Sequence, residues 1–224
     1  MTNLLLPALP VACVLVARQL TGQARAFLLS HRGPALPPSL EGSITLLFTL
    51  LLCALWLPYV IAGASLTGTL RNSLLLAWSI PLVTLDVLCY WLPLCFTTGF
   101  WLSGLLLTQL PGSPLTLLSS LAGSAGMFAA LWGFRALANR RRGDEGVGLG
   151  DVHLIAGLAA WYGWEVACLL SAAAFLLLSV SSLVSRQYTQ PVAPWLFALL
   201  ATVAVGYPQL IQGNLYDILF AFTF

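Results

Sequence analysis

Residues 146–165 read GVGLGDVHLIAGLAAWYGWE, a glycine-rich approach to one carboxylate, Asp151, followed by a run without acidic or basic charge up to Glu165. Such a run reads as a helix in an apolar medium. A carboxylate at the mouth of that segment is expensive in low dielectric, which marks it as a candidate functional group. The simplest competing role for Asp151 is to cap the helix that begins there. Gly146, Gly148 and Gly150 allow positive φ or close approach of another backbone, which suits a peptide lying against the Asp. The apolar pattern continues to Ser185, so 151–185 is either one long tilted helix or two helices broken near Gly163-Trp164-Glu165. Glu165 in mid-membrane would be costly, which favours the break.

The rest of the chain matches this environment. With 59% hydrophobic and 7% charged residues in 224, there is too little polar surface to cover a soluble globule, and the expectation is an all-α polytopic transmembrane bundle. Apolar runs place about eight spans near 3–17, 43–64, 69–86, 93–110, 115–138, 151–165, 166–185 and 194–212. The segment 4–17 has no basic region before it and no small-residue cleavage site after it, so it is expected to be the first span and not a removable signal. The five cysteines never form a Cys-x-x-Cys pair, so neither a zinc site nor a disulfide framework is expected.

All nine basic residues are arginines. With the N-terminus outside, Arg18, Arg25, Arg32, Arg135, Arg140, Arg141, Arg142 and Arg186 face the cytoplasm and only Arg71 faces out, as the positive-inside rule demands. The Arg140-Arg141-Arg142 cluster is thereby a topology signal that needs no nucleic acid, with membrane lipid headgroups as its natural neighbours. Pro34, Pro37 and Pro38 make the first cytoplasmic loop, roughly 18–42, irregular and too short for a second soluble domain. The chain therefore reads as a single integral-membrane domain over 1–224, with spans and a short loop in 1–85 and the functional carboxylates in 86–224.

Asp86 is the second conspicuous acid, closing the third span at its cytoplasmic end, and Asp151 opens the sixth span on the same side. Alone it reads as a helix C-terminal residue exposed at the headgroup boundary; paired with Asp151 at one depth it reads as half of a working site. Asp86 precedes the proline of Leu92-Pro93 by seven residues, and Thr97 follows that proline by four. Together with Gly148-Leu149-Gly150-Asp151-Val152-His153, an Ala/Gly-rich stretch ending in Gly163-Trp164, and Pro194 before the last span, this pattern resembles the type IV prepilin leader peptidases, GxGD-type intramembrane aspartic proteases of bacteria. The resemblance runs from Asp86 onward, about two thirds of the chain. In three places the chain departs from that pattern. The family's lysine two residues after the second Asp is His153, the acid after the Leu-Pro proline is Leu94, and the two Cys-x-x-Cys pairs of bifunctional members are missing.

The resemblance implies a peptidase-only short form, without N-methylation and without metal or cofactor. Asp86 and Asp151 would be the catalytic pair, with Gly146, Gly148, Gly150, His153, Pro93 and Thr97 as supporting or hinge residues. Its substrates would be pilin or pseudopilin precursors, cut after a glycine at the cytoplasmic face of the bacterial inner membrane, in contact with a pilus or secretion machine. Two close carboxylates would share a proton, one activating water and the other polarising the scissile carbonyl. Two other readings stay open: a small transporter using the carboxylates for ions or protons, and an inactive pilus-assembly factor.

Overall fold

A computed structural model describes residues 2–142, 148–187 and 189–206, and every element among them is an α-helix. The order is α1 (Thr2–Ser30), α2 (Pro38–Ala62), α3 (Leu66–Cys89), α4 (Leu94–Leu107), α5 (Leu117–Arg142), α6 (Leu149–Ser185) and α7 (Ala193–Gly206). Helices α2, α3, α5 and α6 are long and apolar enough to cross a membrane, while α4 and α7 are shorter apolar helices. Leu183 and Val184 are 80% and 81% exposed, the inversion of a soluble surface that a lipid-facing helix shows.

The helix boundaries follow local chemistry. Pro38 occupies the first helical position of α2, where its missing N–H is harmless, and Gly63 closes that helix at φ 66°. The Ser65 hydroxyl caps α3 by accepting from the Gly68 N–H at 3.3 Å. The expected loop over 18–42 is much shorter, because α1 continues helically to Ser30 and only 31–37 is irregular. Polar residues such as Arg18 end a membrane span without ending a helix, whose backbone bonds are satisfied internally in either medium. An Arg25–Glu41 ion pair then joins α1 to α2, and the His31 ring, stacked on Phe27, meets Trp91 edge-on.

The question left open over 151–185 is answered at Gly163, which sits at φ 81°, ψ 165° inside α6. That conformation belongs almost only to glycine and interrupts the helical hydrogen bonding. A straight helix from Leu149 to Ser185 would run about 55 Å, and the loop over 186–192 reaches at most about 28 Å. Yet Ala193, just past that loop, bonds to Asp86 at the end of the bundle where α6 starts. The chain must therefore reverse at Gly163, as the cost of burying Glu165 anticipates. Residues 207–212 of the last expected span lie outside the described residues.

The core is built around the first half of α6. Nearly every side chain from Val152 to Tyr162 is buried, surrounded by Leu75 and Leu82 of α3, Phe100 of α4, Met127 of α5 and Leu196 and Leu200 of α7. The Trp161 indole N–H donates to the Phe100 carbonyl at 2.9 Å, and the Ser120 hydroxyl to the Ala160 carbonyl at 2.6 Å. Helix α6 thus packs chiefly on α4 and α5, while α1, α2, α3 and α7 share a second cluster around Phe48, Leu52, Leu76 and Ile80.

Candidate active site

Asp86 stands four residues from the end of α3, where the helix macrodipole alone would disfavour a negative charge. It is nonetheless buried, only 4% exposed, contrary to the headgroup-boundary role it would have alone. The compensation comes from α7, since the Ala193 N–H donates to Asp86 Oδ2 at 2.8 Å. Ala193 opens α7, so Asp86 takes an amide that a helix N-terminus leaves without a partner, at the end of the dipole that favours an anion. Pro194, the second residue of α7, has no N–H to satisfy. Ala193 was not foreseen as a ligand, although Pro191-Val192-Ala193-Pro194 signals a helix start whose free amides need an acceptor.

Beyond Asp86 the chain turns sharply. Tyr90 adopts φ 51° and its N–H bonds to the Asp86 carbonyl at 2.9 Å, closing α3. Pro93, buried, caps α4 at φ −64°, ψ 138°, and Thr97 is buried one turn later with its hydroxyl donating to the Leu94 carbonyl at 3.3 Å. Pro93 and Thr97 thus shape the start of α4.

Asp151 comes to this turn from the other motif. It lies in the first turn of α6, with Gly148 as the cap residue and no side-chain cap bond, so it is not the cap itself. A Cβ at Gly150 would stand 2.6 Å from Leu92 Cβ and 2.8 Å from the Leu92 carbonyl oxygen, so only glycine lets α6 close onto the turn that follows Asp86. A Cβ at Gly148 would stand 3.2 Å from Asp151 Oδ2. The close approach expected of these glycines is thus made within the chain, and positive φ is found at neither Gly148 nor Gly150. Gly146 lies outside the described residues. The two carboxylates end up within electrostatic reach of one another, although 65 positions separate them.

His153 is not brought to the carboxylates by any bond. Its ring sits edge-on to Trp101 and Phe128, with centroids 5.8 and 5.1 Å away, and its buried Nδ1 has no partner. Among the described residues, no group of three or more His, Cys, Asp or Glu is arranged to hold a metal ion.

The family model for the type IV leader peptidase family matches residues 73–184, half of the chain, and takes in both Asp86 and Asp151. The chain is 37% identical over 90 residues to the type 4 prepilin-like proteins leader peptide-processing enzyme of Escherichia coli O78:H11 (strain H10407 / ETEC), covering 40% of this chain and 34% of that protein. It is 31% identical over 135 residues to the prepilin leader peptidase/N-methyltransferase of Pectobacterium carotovorum subsp. carotovorum, covering 60% of this chain and 46% of that one. To the enzyme of the same description from Aeromonas salmonicida (strain A449) it is 32% identical over 151 residues, 61% of this chain and 50% of the relative. The chain thus spans between a third and half the length of these relatives. No solved structure is a significant match. A matched segment holding both motifs, folded so that their carboxylates lie within electrostatic reach of one another, leaves one assignment: the chain belongs to the type IV leader peptidase family.

Proposed function

We propose that the protein is an intramembrane aspartic endopeptidase of the bacterial inner membrane. It removes the leader of prepilin-like precursors, pilins or pseudopilins, cutting after a glycine at the cytoplasmic boundary. The observation that carries the reading is that Asp86 and Asp151 lie within electrostatic reach of one another at one end of the bundle, inside the family-matched segment. One ionised carboxylate takes a proton from water while its protonated partner polarises the scissile carbonyl, a division of labour that needs neither a metal nor a covalent intermediate. The Ala193 amide anchors the Asp86 carboxylate, which suits a group that must meet both water and peptide.

Charge placement supports the orientation. Arg25 and Arg32 flank the α1–α2 connection, which packs through Phe27 and His31 on Trp91 beside the Asp86 turn, and Arg140–Arg142 close α5 just before the Asp151 segment. Arg71 is at the other end of α3. We take the arginine-rich end as cytoplasmic and the N-terminus as outside, with the reversal at Gly163 making eight helical segments of one domain. N-methylation is not part of this proposal, and the partners are precursor proteins and the secretion or pilus machine that receives them.

The test is cleavage of a prepilin-type substrate in membranes by wild type, Asp86→Asn and Asp151→Asn. Both variants should insert normally and lose cleavage by several orders of magnitude, since each leaves a single carboxylate. An asparagine at 86 still accepts from Ala193, so loss of activity there reports chemistry and not folding. Persistent cleavage in either variant would sink the two-carboxylate mechanism. A wild type that inserts yet never cuts any cognate precursor would instead leave an assembly role.

A further inference from the structure

At the end of α3 opposite Asp86, fifteen residues or about 22 Å away along the helix, Arg71 is only 3% exposed. Among the described residues, none of its Nε, Nη1 and Nη2 atoms has a hydrogen-bond partner. Its guanidinium lies 5.6 Å from the centroid of the Tyr162 ring, and no carboxylate among the described residues pairs with it. An arginine cannot shed its proton to relieve such burial, and an unpaired buried cation is strongly destabilising. Two neighbouring groups are also unsatisfied, Asn72 Oδ1 and the Tyr162 hydroxyl.

Arg71 and Asn72 border a cavity of about 200 Å³, lined also by Ser65, Thr67 and Gly68 at the start of α3 and by Ser113 of the α4–α5 connection. The positive end of the α3 dipole therefore points at the same space as the guanidinium. At roughly 30 Å³ per water-sized group, it has room for a tetrahedral oxyanion and its linker. Beside it, Leu66, Leu70 and Leu74 form an exposed apolar stripe down α3, spaced one turn apart.

We propose that this cavity binds a single phosphate group, with the Arg71 guanidinium as its main ligand. The stripe beside it fits an acyl chain, so the favoured source is the headgroup of an anionic phospholipid from the leaflet opposite the aspartates, a lipid that fastens the α3 and α4–α5 ends of the bundle together.

The test is thermal unfolding of delipidated protein in detergent, with phosphatidylglycerol, diacylglycerol or inorganic phosphate added, for wild type, Arg71→Gln and Arg71→Lys. Phosphatidylglycerol should raise the wild-type midpoint saturably, with apparent affinity about tenfold or more weaker in Arg71→Gln and intermediate in Arg71→Lys, which keeps the charge but loses the planar fork. An equal, Arg71-dependent response to inorganic phosphate would support the site and assign it to the free anion. If diacylglycerol matches phosphatidylglycerol, or Arg71→Gln responds like wild type, the proposal fails. Asp217 is a carboxylate outside the described residues. The proposal fails too if Arg71→Gln and Asp217→Asn destabilise non-additively, since the guanidinium would then be paired within the chain. Should Arg71→Gln not fold, native mass spectrometry of wild type and Arg71→Lys decides. Phosphate-bearing lipid retained by wild type and lost more readily by the lysine variant supports the site, and none retained overturns it.

Discussion

At the scale of the residue, Gly150 and Asp86 show how a polar site is held inside an apolar bundle. Gly150 has no conformational duty, since its φ is ordinary, and its value is the missing Cβ that would stand 2.6 Å from Leu92 Cβ. Gly150→Val should therefore separate the Asp151 turn from the Leu92-Pro93 turn. The expected result is cleavage reduced at least about a hundredfold and a fold weakened by about 1–3 kcal/mol, read from substrate cleavage and from unfolding in detergent. Full cleavage in that variant would show that the two motifs need not touch. The sequence showed that a glycine stood there; that its neighbour is Leu92 rather than a substrate backbone depends on α3, α4 and α6 converging.

At the scale of the element, the N-terminus of α7 is a ligand for Asp86, and removing one N–H tests it. Ala193→Pro deletes the donor while placing proline in a first turn, where the helix tolerates it. A hydrogen bond to a charged group is worth about 1.5–3 kcal/mol, so cleavage should fall by roughly ten- to a hundredfold with the helical circular dichroism intact. An unchanged rate would mean that α7 only shields the carboxylate. Helix α6 gives a second case. Gly163→Ala forces a Cβ into φ 81°, ψ 165°, and should lower stability by about 1–3 kcal/mol or shift the reversal to another residue. Wild-type thermal stability and activity in that variant would argue that the break does not depend on glycine.

At the scale of the whole molecule, the arginine-rich connections and the carboxylate pair share one end, and Arg71 with the α4–α5 connection lies at the other. In a cysteine-free background, a cysteine at Asn139 should be shielded from a membrane-impermeant thiol reagent in intact cells, and one at Gly112 should react. The reverse pattern would put the aspartates on the outer face and exclude cleavage at the cytoplasmic boundary. Most of the helices, though not their ends, were legible in advance. The expected spans fall on the observed helices over the described residues, because an apolar run in lipid has little choice but to be helical. The end of α1 was misjudged because hydropathy reports where a helix leaves the membrane and not where its hydrogen bonding stops.

By itself the sequence determined that the chain is a helical membrane protein, and its two motifs, in order and spacing, marked it as a leader peptidase relative. Composition and local spacing are properties of the chain read in one dimension, and they survive without coordinates. Only the tertiary structure decided that Asp86 is buried against the first amide of α7, that Gly150 closes on Leu92, that His153 is packed among aromatic rings, and that Arg71 borders a polar cavity. Each depends on partners tens of residues away, and burial in low dielectric makes the identity of that partner decide what a charged side chain can do.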